Sequence, residues 1–341
     1  MRIWKGEAPL LRAFLLIPLF ALSLVYRAAL MARDLWYAAG LAEVENAPIP
    51  VVSVGNLSLG GTGKTTVVEW LSLHLKGRGL FPGIIMLGYK KKKRGAFAVN
   101  PRHDTAEGAG DEAVMLARRT MLPVLVGKKR GESIRRAVRA FGIDVAIFDD
   151  GYQVRNVRKN VELLVLNGQE PRAALHLFPL GLLREPLEMV KKADILLVNK
   201  GEPDSRTKAL MAGMPCFRVR YRPLHLCRLK DRSTTDHRSV RGRKVLAFSG
   251  LGDNASFFNL LREIGADVVA TVEFPDHYRY RREDLRRIES FHGADLVVTT
   301  EKDAVKMEGM DPGDNVFYLS IEAEIEGRDA LVELVLDKMR G

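Results

Sequence analysis

The chain has 341 residues, 47% of them apolar and 28% charged, which excludes a disordered protein and leaves room for two ordinary domains. Its two cysteines, Cys216 and Cys227, make no metal or disulfide pattern and fit a reducing compartment. The net charge of +11 asks for an anionic partner: nucleic acid, an anionic membrane or a phosphorylated substrate.

The first predicted element is the uncharged run Ala13–Tyr26, AFLLIPLFALSLVY, with Arg2, Lys5 and Arg12 before it and Arg27 and Arg33 after it. It is shorter than the roughly 20 residues of a spanning helix, and Pro18 interrupts it. A secretory signal peptide has the same make-up, but it would carry the phosphate-binding loop that follows to a place without nucleotide. The run is therefore read as an uncleaved helix in the membrane interface, its basic flanks on anionic headgroups. The alternative is a buried core helix.

Next comes VVSVGNLSLGGTGKTTVVEWL, residues 51–71: an apolar β-branched run, a glycine loop, then apolar residues at helical spacing. The order strand, loop, helix is that of the phosphate loop G-x-x-x-x-G-K-[ST], with Ser58 in the place of the first glycine. Converging backbone N–H groups of Ser58, Leu59, Gly60, Gly61, Thr62, Gly63, Lys64, Thr65 and Thr66, with the positive end of the following helix, would cradle the phosphates of ATP. Lys64 would reach the β- and γ-phosphates, and the Thr65 hydroxyl would hold Mg²⁺. Ser58 is harmless if its backbone need not be left-handed, because Gly60, Gly61 and Gly63 keep the tight part permissive.

Further strand-like runs are Pro82–Leu87, Pro123–Val126, Val145–Phe148, Glu162–Leu166 and Ile195–Asn199, with helical patterns at Asp111–Thr120 and Gly131–Phe141 among them. This alternation predicts a P-loop-type α/β fold with a doubly wound, mostly parallel sheet, its site at the carboxyl ends of the strands. Residues 217–243 break the pattern as two short strands or a crossover and a linker. A second, smaller α/β domain starts at Lys244. The expected domains are 1–41 (membrane-associated helix), 42–216 (loop-bearing domain), 217–243 (linker) and 244–341.

Five segments carry chemistry-bearing residues. The strand Val145–Phe148 delivers Asp149 and Asp150, the carboxylates that would manage Mg²⁺ beside the loop. Gly110-Asp111-Glu112 reads either as a helix N-cap or as the general base that a hydroxyl kinase needs. Asp276-His277-Tyr278 follows a strand, and an imidazole with an ordinary pKa of ~6.5 suits proton work. Arg184-Glu185 offers a guanidinium that could clamp a phosphate, the plain alternative being a surface ion pair. Thr299-Thr300-Glu301-Lys302-Asp303 could cap a helix or line the cleft. The run Lys90–Arg94 is either a solvated loop or a contact for lipid phosphates. Basic and aromatic residues do not interleave, and no nucleic-acid-binding signature is present, so no nucleic-acid partner is expected.

With these segments assembled, the chain resembles the lipid A 4′-kinase (tetraacyldisaccharide 4′-kinase) family. The likeness rests on VVSVGNLSLGGTGKT, GDE at 110–112, IFDDGYQ at 147–153, FPLGLLREPL at 178–187, ADILLVNK at 193–200, AFSGLGDNASFF at 247–258, FPDHYRY at 274–280 and LVVTTEKDAVKM at 296–307. The family loop reads NLSxGGTGKT, so Ser58 is a family trait. The resemblance implies transfer of the γ-phosphate of ATP to the 4′-hydroxyl of a tetraacyldisaccharide 1-phosphate, giving lipid IVA. The partner is then an anionic acylated disaccharide lipid, reached by a monomer at the cytoplasmic face of the inner membrane.

The resemblance also implies roles for single residues. Asp111 would be the base, paired with His277; Asp149 and Asp150 would manage Mg²⁺; Tyr89, Arg130, Arg184 and Glu185 would surround substrate and nucleotide. On the expected boundaries Asp111 and His277 lie in different domains, which closure would bring together. The sequence departs from the family's S-R-G-Y-G at Leu87 and Lys90, and from the usual His after D-D-G-[FY]-Q at Val154.

Two rivals differ in class. A deviant phosphate-loop ATPase switch would carry its signature lysine at position 59, which is Leu59. A GTP-binding scaffold would carry N-K-x-D, which Asn199-Lys200-Gly201-Glu202 approaches with Glu for Asp.

Overall fold

The computed structural model describes residues 9–88, 92, 93 and 95–340, the side chains of residues 9–13 excepted. Tyr89 and the Lys90, Lys91 and Arg94 members of the basic run lie outside the described residues, as do Arg2, Lys5 and the side chain of Arg12. In chain order the first elements are α1 (Pro9–Ala38), β1 (Val51–Gly55), α2 (Lys64–Gly77), β2 (Pro82–Met86), β3 (Phe97–Ala98), α3 (Ala106–Ala109), α4 (Asp111–Thr120) and β4 (Val124–Val126). Then come α5 (Arg130–Phe141), β5 (Val145–Asp149), β6 (Val161–Asn167), β7 (Ile195–Asn199), α6 (Ser205–Met211), β8 (Cys216–Arg228) and β9 (Thr234–Asp236). The last are β10 (Lys244–Ser249), α7 (Asn254–Glu263), β11 (Asp267–Glu273), α8 (Arg282–Glu289), β12 (Leu296–Thr300), α9 (Glu301–Lys306), β13 (Val316–Ile325) and α10 (Arg328–Arg340).

The chain forms two compact units, and neither is continuous in sequence. One comprises residues 1–87, 127–220 and 324–341; the other comprises 88–126 and 221–323. The sequence boundaries at 216 and 243 bracket the pair β8–β9, whereas these units divide the chain elsewhere and exchange the segment 88–126.

In the first unit the strands run β8-β7-β6-β1-β5-β2, every neighbouring pair parallel. β1, β2, β5 and β7 are buried at every residue. Their continuous apolar runs are what a parallel sheet covered on both faces requires. A core of Leu57, Tyr152, Leu164, Val190 and Leu196 packs beside them. β1 and β5 are neighbours, with Val54 opposite Asp149. Register alone therefore brings the loop after β1 beside the carboxylates that end β5, at the strand ends where α/β folds bind ligands.

The second unit holds the parallel set β11-β10-β12-β13 and two small antiparallel pairs, β3–β4 and the later part of β8 with β9. Phe248, Tyr280, Val297 and Tyr318 fill one side of it, and Val245, Phe258, Leu261 and Val298 the other. Helix starts follow from capping: Asp253 accepts from the Ser256 N–H at 3.3 Å, and the Thr300 hydroxyl from the Asp303 N–H at 3.1 Å, each relieving an orphan donor. α4 carries Asp111 and Glu112 in its first turn and Arg118 and Arg119 in its last, the polarity the helix dipole favours.

The N-terminal helix differs from its sequence reading. α1 is a single helix of 30 residues with Pro18 inside it, and it continues through Arg27 and Arg33 instead of stopping at Tyr26. Its segment Phe14–Ala38 is long and apolar enough to cross a membrane by length and composition. One face seats on the first unit: Ser23 Oγ donates to the Leu177 carbonyl at 3.1 Å and the Tyr26 hydroxyl to the Arg184 carbonyl at 2.9 Å. The Arg33 guanidinium forks onto Glu185 at 2.8 and 2.9 Å. The remaining faces present Phe14, Ile17, Val25, Leu35 and Trp36, all exposed, so α1 is no buried core helix.

Candidate active site

The glycine loop is a tight anion cradle in shape. Gly63, the residue before α2, takes φ 76°, and Gly60 takes φ 146°, backbone positions that a side chain disfavours. Ser58 is not among the described residues with positive φ. It lies instead in a short extended contact: Ser58 bridges Leu183, the Leu59 N–H donates to the Leu182 carbonyl at 2.7 Å, and the Arg184 N–H donates to the Leu57 carbonyl at 2.6 Å. This is the physical reason a serine is tolerated where the common motif has glycine.

The loop is framed by buried amides that the sequence reading left without a role. Asn56 Nδ2 donates to the Ser58 carbonyl and to Thr62 Oγ1, both at 2.9 Å. Asn199 Nδ2 donates to the Thr62 carbonyl at 2.6 Å, and Gln153 Nε2 to the Asn56 carbonyl at 2.8 Å. Asn199 is thus spent inside the loop's support, and Glu202, three residues on, pairs with Lys208 and Arg218.

At the mouth of the loop, Thr65 Oγ1 lies 3.4 Å from Asp149 Oδ2 and Lys64 Nζ lies 3.5 Å from Asp150 Oδ1. The two carboxylates differ in kind. Asp149 ends a buried strand beside the Thr65 hydroxyl, a pair of oxygen donors that suits a hard cation completed by phosphate oxygens and water. Asp150 sits at φ 58° and takes the Arg184 fork at 2.7 and 2.8 Å. Its surroundings would raise its pKa by desolvation, but Arg184 and Lys64 outweigh that and hold it down at about 2. Its charge is already met by two cations. No cluster of three or more His, Cys, Asp or Glu suited to a metal occurs among the described residues.

The other expected site residues separate. Arg130 is buried, its Nη2 donating to the Asp149 carbonyl at 3.4 Å while Nη1 has no hydrogen-bond partner. Burial pulls its pKa down to about 10, against the raising effect of Asp149 and Asp150. An orphaned guanidinium N–H beside the loop carboxylates is suited to a phosphate oxygen. Arg184 is engaged with Asp150 and Asn56. Glu185 is fully buried between Arg33 and Arg155, where it anchors α1 and faces no open surface.

In the second unit, His277 Nδ1 lies 2.9 Å from Asp111 Oδ2. The sequence reading placed these residues in separate domains awaiting closure; the segment 88–126 packs with 221–323, so the pair is formed within one unit. Asp111 Oδ1 accepts the Glu112 N–H at 2.9 Å, but the residue that caps α4 is Gly110 and the cap carries no side-chain hydrogen bond, so Asp111 opens the helix as its first residue and is not its N-cap. Burial would raise the Asp111 pKa, but the His277 hydrogen bond and the charges of Lys302, His277 and Lys306 bring it down to about 2. His277 itself sits at φ 56°, an uncommon and strained position for a non-glycine residue. Asp150 and His277 are thus two of the five described non-glycine residues with positive φ, the others being Met121, Lys200 and Arg232.

The model of the tetraacyldisaccharide-1-P 4′-kinase family matches residues 13–340. The chain is 34% identical over 340 residues to the tetraacyldisaccharide 4′-kinase of Vibrio campbellii, covering 99% of this chain and 96% of the relative. It is 33% identical over 368 residues to that of Syntrophus aciditrophicus, covering 99% and 97%. The crystal structure of LpxK from Aquifex aeolicus in complex with ATP superimposes with a TM-score of 0.78 at 30% identity, covering 97% of this chain and 100% of that one.

Proposed function

The chain belongs to the tetraacyldisaccharide-1-P 4′-kinase family, and from that membership we infer that it transfers the γ-phosphate of ATP to the 4′-hydroxyl of a tetraacyldisaccharide 1-phosphate. In the step, the sugar oxygen forms a bond to the γ-phosphorus as the bond to the ADP oxygen breaks, and the hydroxyl proton goes to Asp111. The loop 58–66 and Lys64 hold the triphosphate and meet the charge that develops on it. Arg130 supplies a further N–H to a phosphate oxygen. His277 orients Asp111 and helps to hold its carboxyl below the usual carboxylate range.

Thr65 and Asp149 would hold Mg²⁺, which when bound neutralises the β- and γ-phosphate oxygens. Asp150 would keep Lys64 and Arg184 placed beside it and help Asp149 to manage the metal. The observation that carries a kinase over a nucleotide switch is the Asp111–His277 pair at 2.9 Å. A switch that only hydrolyses ATP has no alcohol to deprotonate, whereas a kinase places a carboxylate for that purpose. The deciding experiment is γ-phosphate transfer from labelled ATP to tetraacyldisaccharide 1-phosphate in detergent micelles. Label is expected in the lipid; ATP hydrolysis with no labelled lipid would return the switch.

The acceptor is an acylated anion, and the chain has features that suit its surroundings. We place the exposed apolar faces of α1 in the cytoplasmic leaflet of the inner membrane, with the net charge of +11 favouring anionic headgroups. Residues 1–341 are expected to float with anionic phospholipid vesicles and residues 42–341 to stay behind. Equal flotation of both would remove α1 from this role.

A further inference from the structure

Strand β12 ends in Thr299 and Thr300, and the second residue of α9 is Lys302. α9 packs on α4, the helix that begins at Asp111. The Lys302 side chain is 14% exposed, which is little for an ammonium, and such groups are kept inside only when paired. Its Nζ lies 2.9 Å from Glu112 Oε1, 3.3 Å from Asp276 Oδ1 and 3.5 Å from His277 Nε2. An ammonium has three protons and no lone pair, and these three atoms can take them. Desolvation would weaken its charge, but Glu112, Asp111 and Asp276 outweigh that and raise its pKa above the ordinary lysine value.

This arrangement determines the state of the imidazole. A protonated Nε2 would point N–H at N–H, donor against donor. Asp276 Oδ1 is 3.9 Å from Nε2, beyond a hydrogen bond. Nε2 is therefore the lone-pair nitrogen. A neutral ring then carries its one proton on Nδ1, the atom 2.9 Å from Asp111 Oδ2. In the opposite tautomer two lone pairs would face each other across that distance.

We propose that Lys302 is a positioning residue for phosphoryl transfer, which fixes His277 as the Nδ1–H tautomer and so aims a donor at the base Asp111. Lys302 touches neither substrate nor nucleotide in this role; it acts through the imidazole, as an outer partner orients a ligating or catalytic histidine elsewhere. Among the described residues, the charged groups around the pair include Glu112 on α4, Asp276 in the loop before α8, and Lys302 and Lys306 on α9. Removing Lys302 deletes one of the two lysine charges facing Asp111 and leaves Glu112 and Asp276 without it, which favours a proton on Nε2.

The inference rests on Asp111 as the base of the proposed reaction, and its test separates the two. The full chain is labelled with ¹⁵N-histidine in micelles, and the His277 ring signals are assigned by their loss in His277→Gln. With the ring in its neutral form, the wild type is expected to show a protonated Nδ1 and an unprotonated Nε2. Lys302→Met is expected to move the ring to the Nε2–H tautomer or the imidazolium, and to lower kcat by about ten- to a hundred-fold with KM for ATP little changed. Lys302→Arg keeps a donor there and should restore the tautomer and part of the rate.

A wild-type ring protonated on Nε2, or an unchanged tautomer in Lys302→Met, overturns the proposal. If Lys302→Met fails to fold, the wild-type spectrum still decides between the tautomers. If the tautomer is as expected but the wild type moves no phosphate to lipid, the reaction assignment fails and the local geometry stands.

Discussion

The glycine loop of the first unit and the Asp111–His277 pair of the second reach their geometry by opposite routes. The loop is built from contiguous residues between one strand and one helix, and its ligand groups are mainly backbone N–H. Its shape follows from left-handed glycines and from the register of β1 against β5. The pair joins residues 166 positions apart, and nothing local brings them together. It depends on the packing of α4 with α9 and on the strained backbone of His277. Backbone sites tolerate side-chain variation, as Ser58 does; side-chain sites built over long range do not. On the proposed function, the first kind would grip the nucleotide and the second would act on the acceptor's proton.

The sharpest way to break this comparison is to remove one side chain from each region. Asp111→Ala is expected to lower transfer by about 10²–10⁴-fold, the range of a lost general base, with ATP affinity kept, because the base acts on the acceptor hydroxyl in the transition state. Lys64→Ala is expected to lower turnover by about 10²–10³-fold, the cost of one missing charge-stabilising donor, and to weaken ATP binding with it. Equilibrium binding of a fluorescent ATP analogue beside kcat and KM separates the two patterns. Loss of nucleotide binding in Asp111→Ala would end the division of labour.

Legibility in the sequence follows the same division. The parallel strands were readable because continuous β-branched runs buried on both faces leave a plain signal, and β1, β5 and β7 fall within a residue or two of their expected bounds. The glycine loop between strand and helix was readable because the motif is contiguous. The exchange of 88–126 into the second unit was not, since it depends on α3 and α4 packing against α9, some 190 positions further along the chain. The length of α1 was misjudged because Arg27 and Arg33 look like an end, yet Arg33 is met by Glu185 across 152 positions. Glu185 looked like a substrate residue and is that helix's buried anchor. Lys302, Asn56 and Gln153 stood inside recognised segments but carried no signal of role, because their partners lie elsewhere in the chain.

His277→Ala probes the pair more finely. The Asp111 carboxyl is held at about 2, first by the His277 hydrogen bond and then by nearby positive charge, against a burial effect that pushes upward. A carboxylate with a depressed pKa stays ionised until pH falls through that value, so in the wild type the base is not lost by protonation anywhere near neutrality. Without His277 the restraint goes and burial remains, so the pKa rises by about one to two units. The acid limb of kcat/KM is expected to move to higher pH by that amount, with a rate loss at pH 7 of about tenfold from poorer orientation. An acid limb that does not move would mean that His277 does not set the ionisation of Asp111.

The smallest expected effect falls on the loop's frame. Asn199→Ala removes the donor that reaches the Thr62 carbonyl at 2.6 Å, inside a site where the residue is 1% exposed. Losing a buried hydrogen-bond donor costs about 1–3 kcal/mol of stability, to be read from denaturant midpoints at constant slope. KM for ATP should rise a few-fold, since Thr62 belongs to the cradle. The ratio of ATP to GTP use should not move, because the side chain supports the loop backbone and meets no base. A changed ratio with unchanged stability would instead give Asn199 the base-reading role of a GTP-binding motif, and the distinction between a backbone-built nucleotide grip and a side-chain-built proton site would have to be redrawn with a second side-chain reader in the first unit.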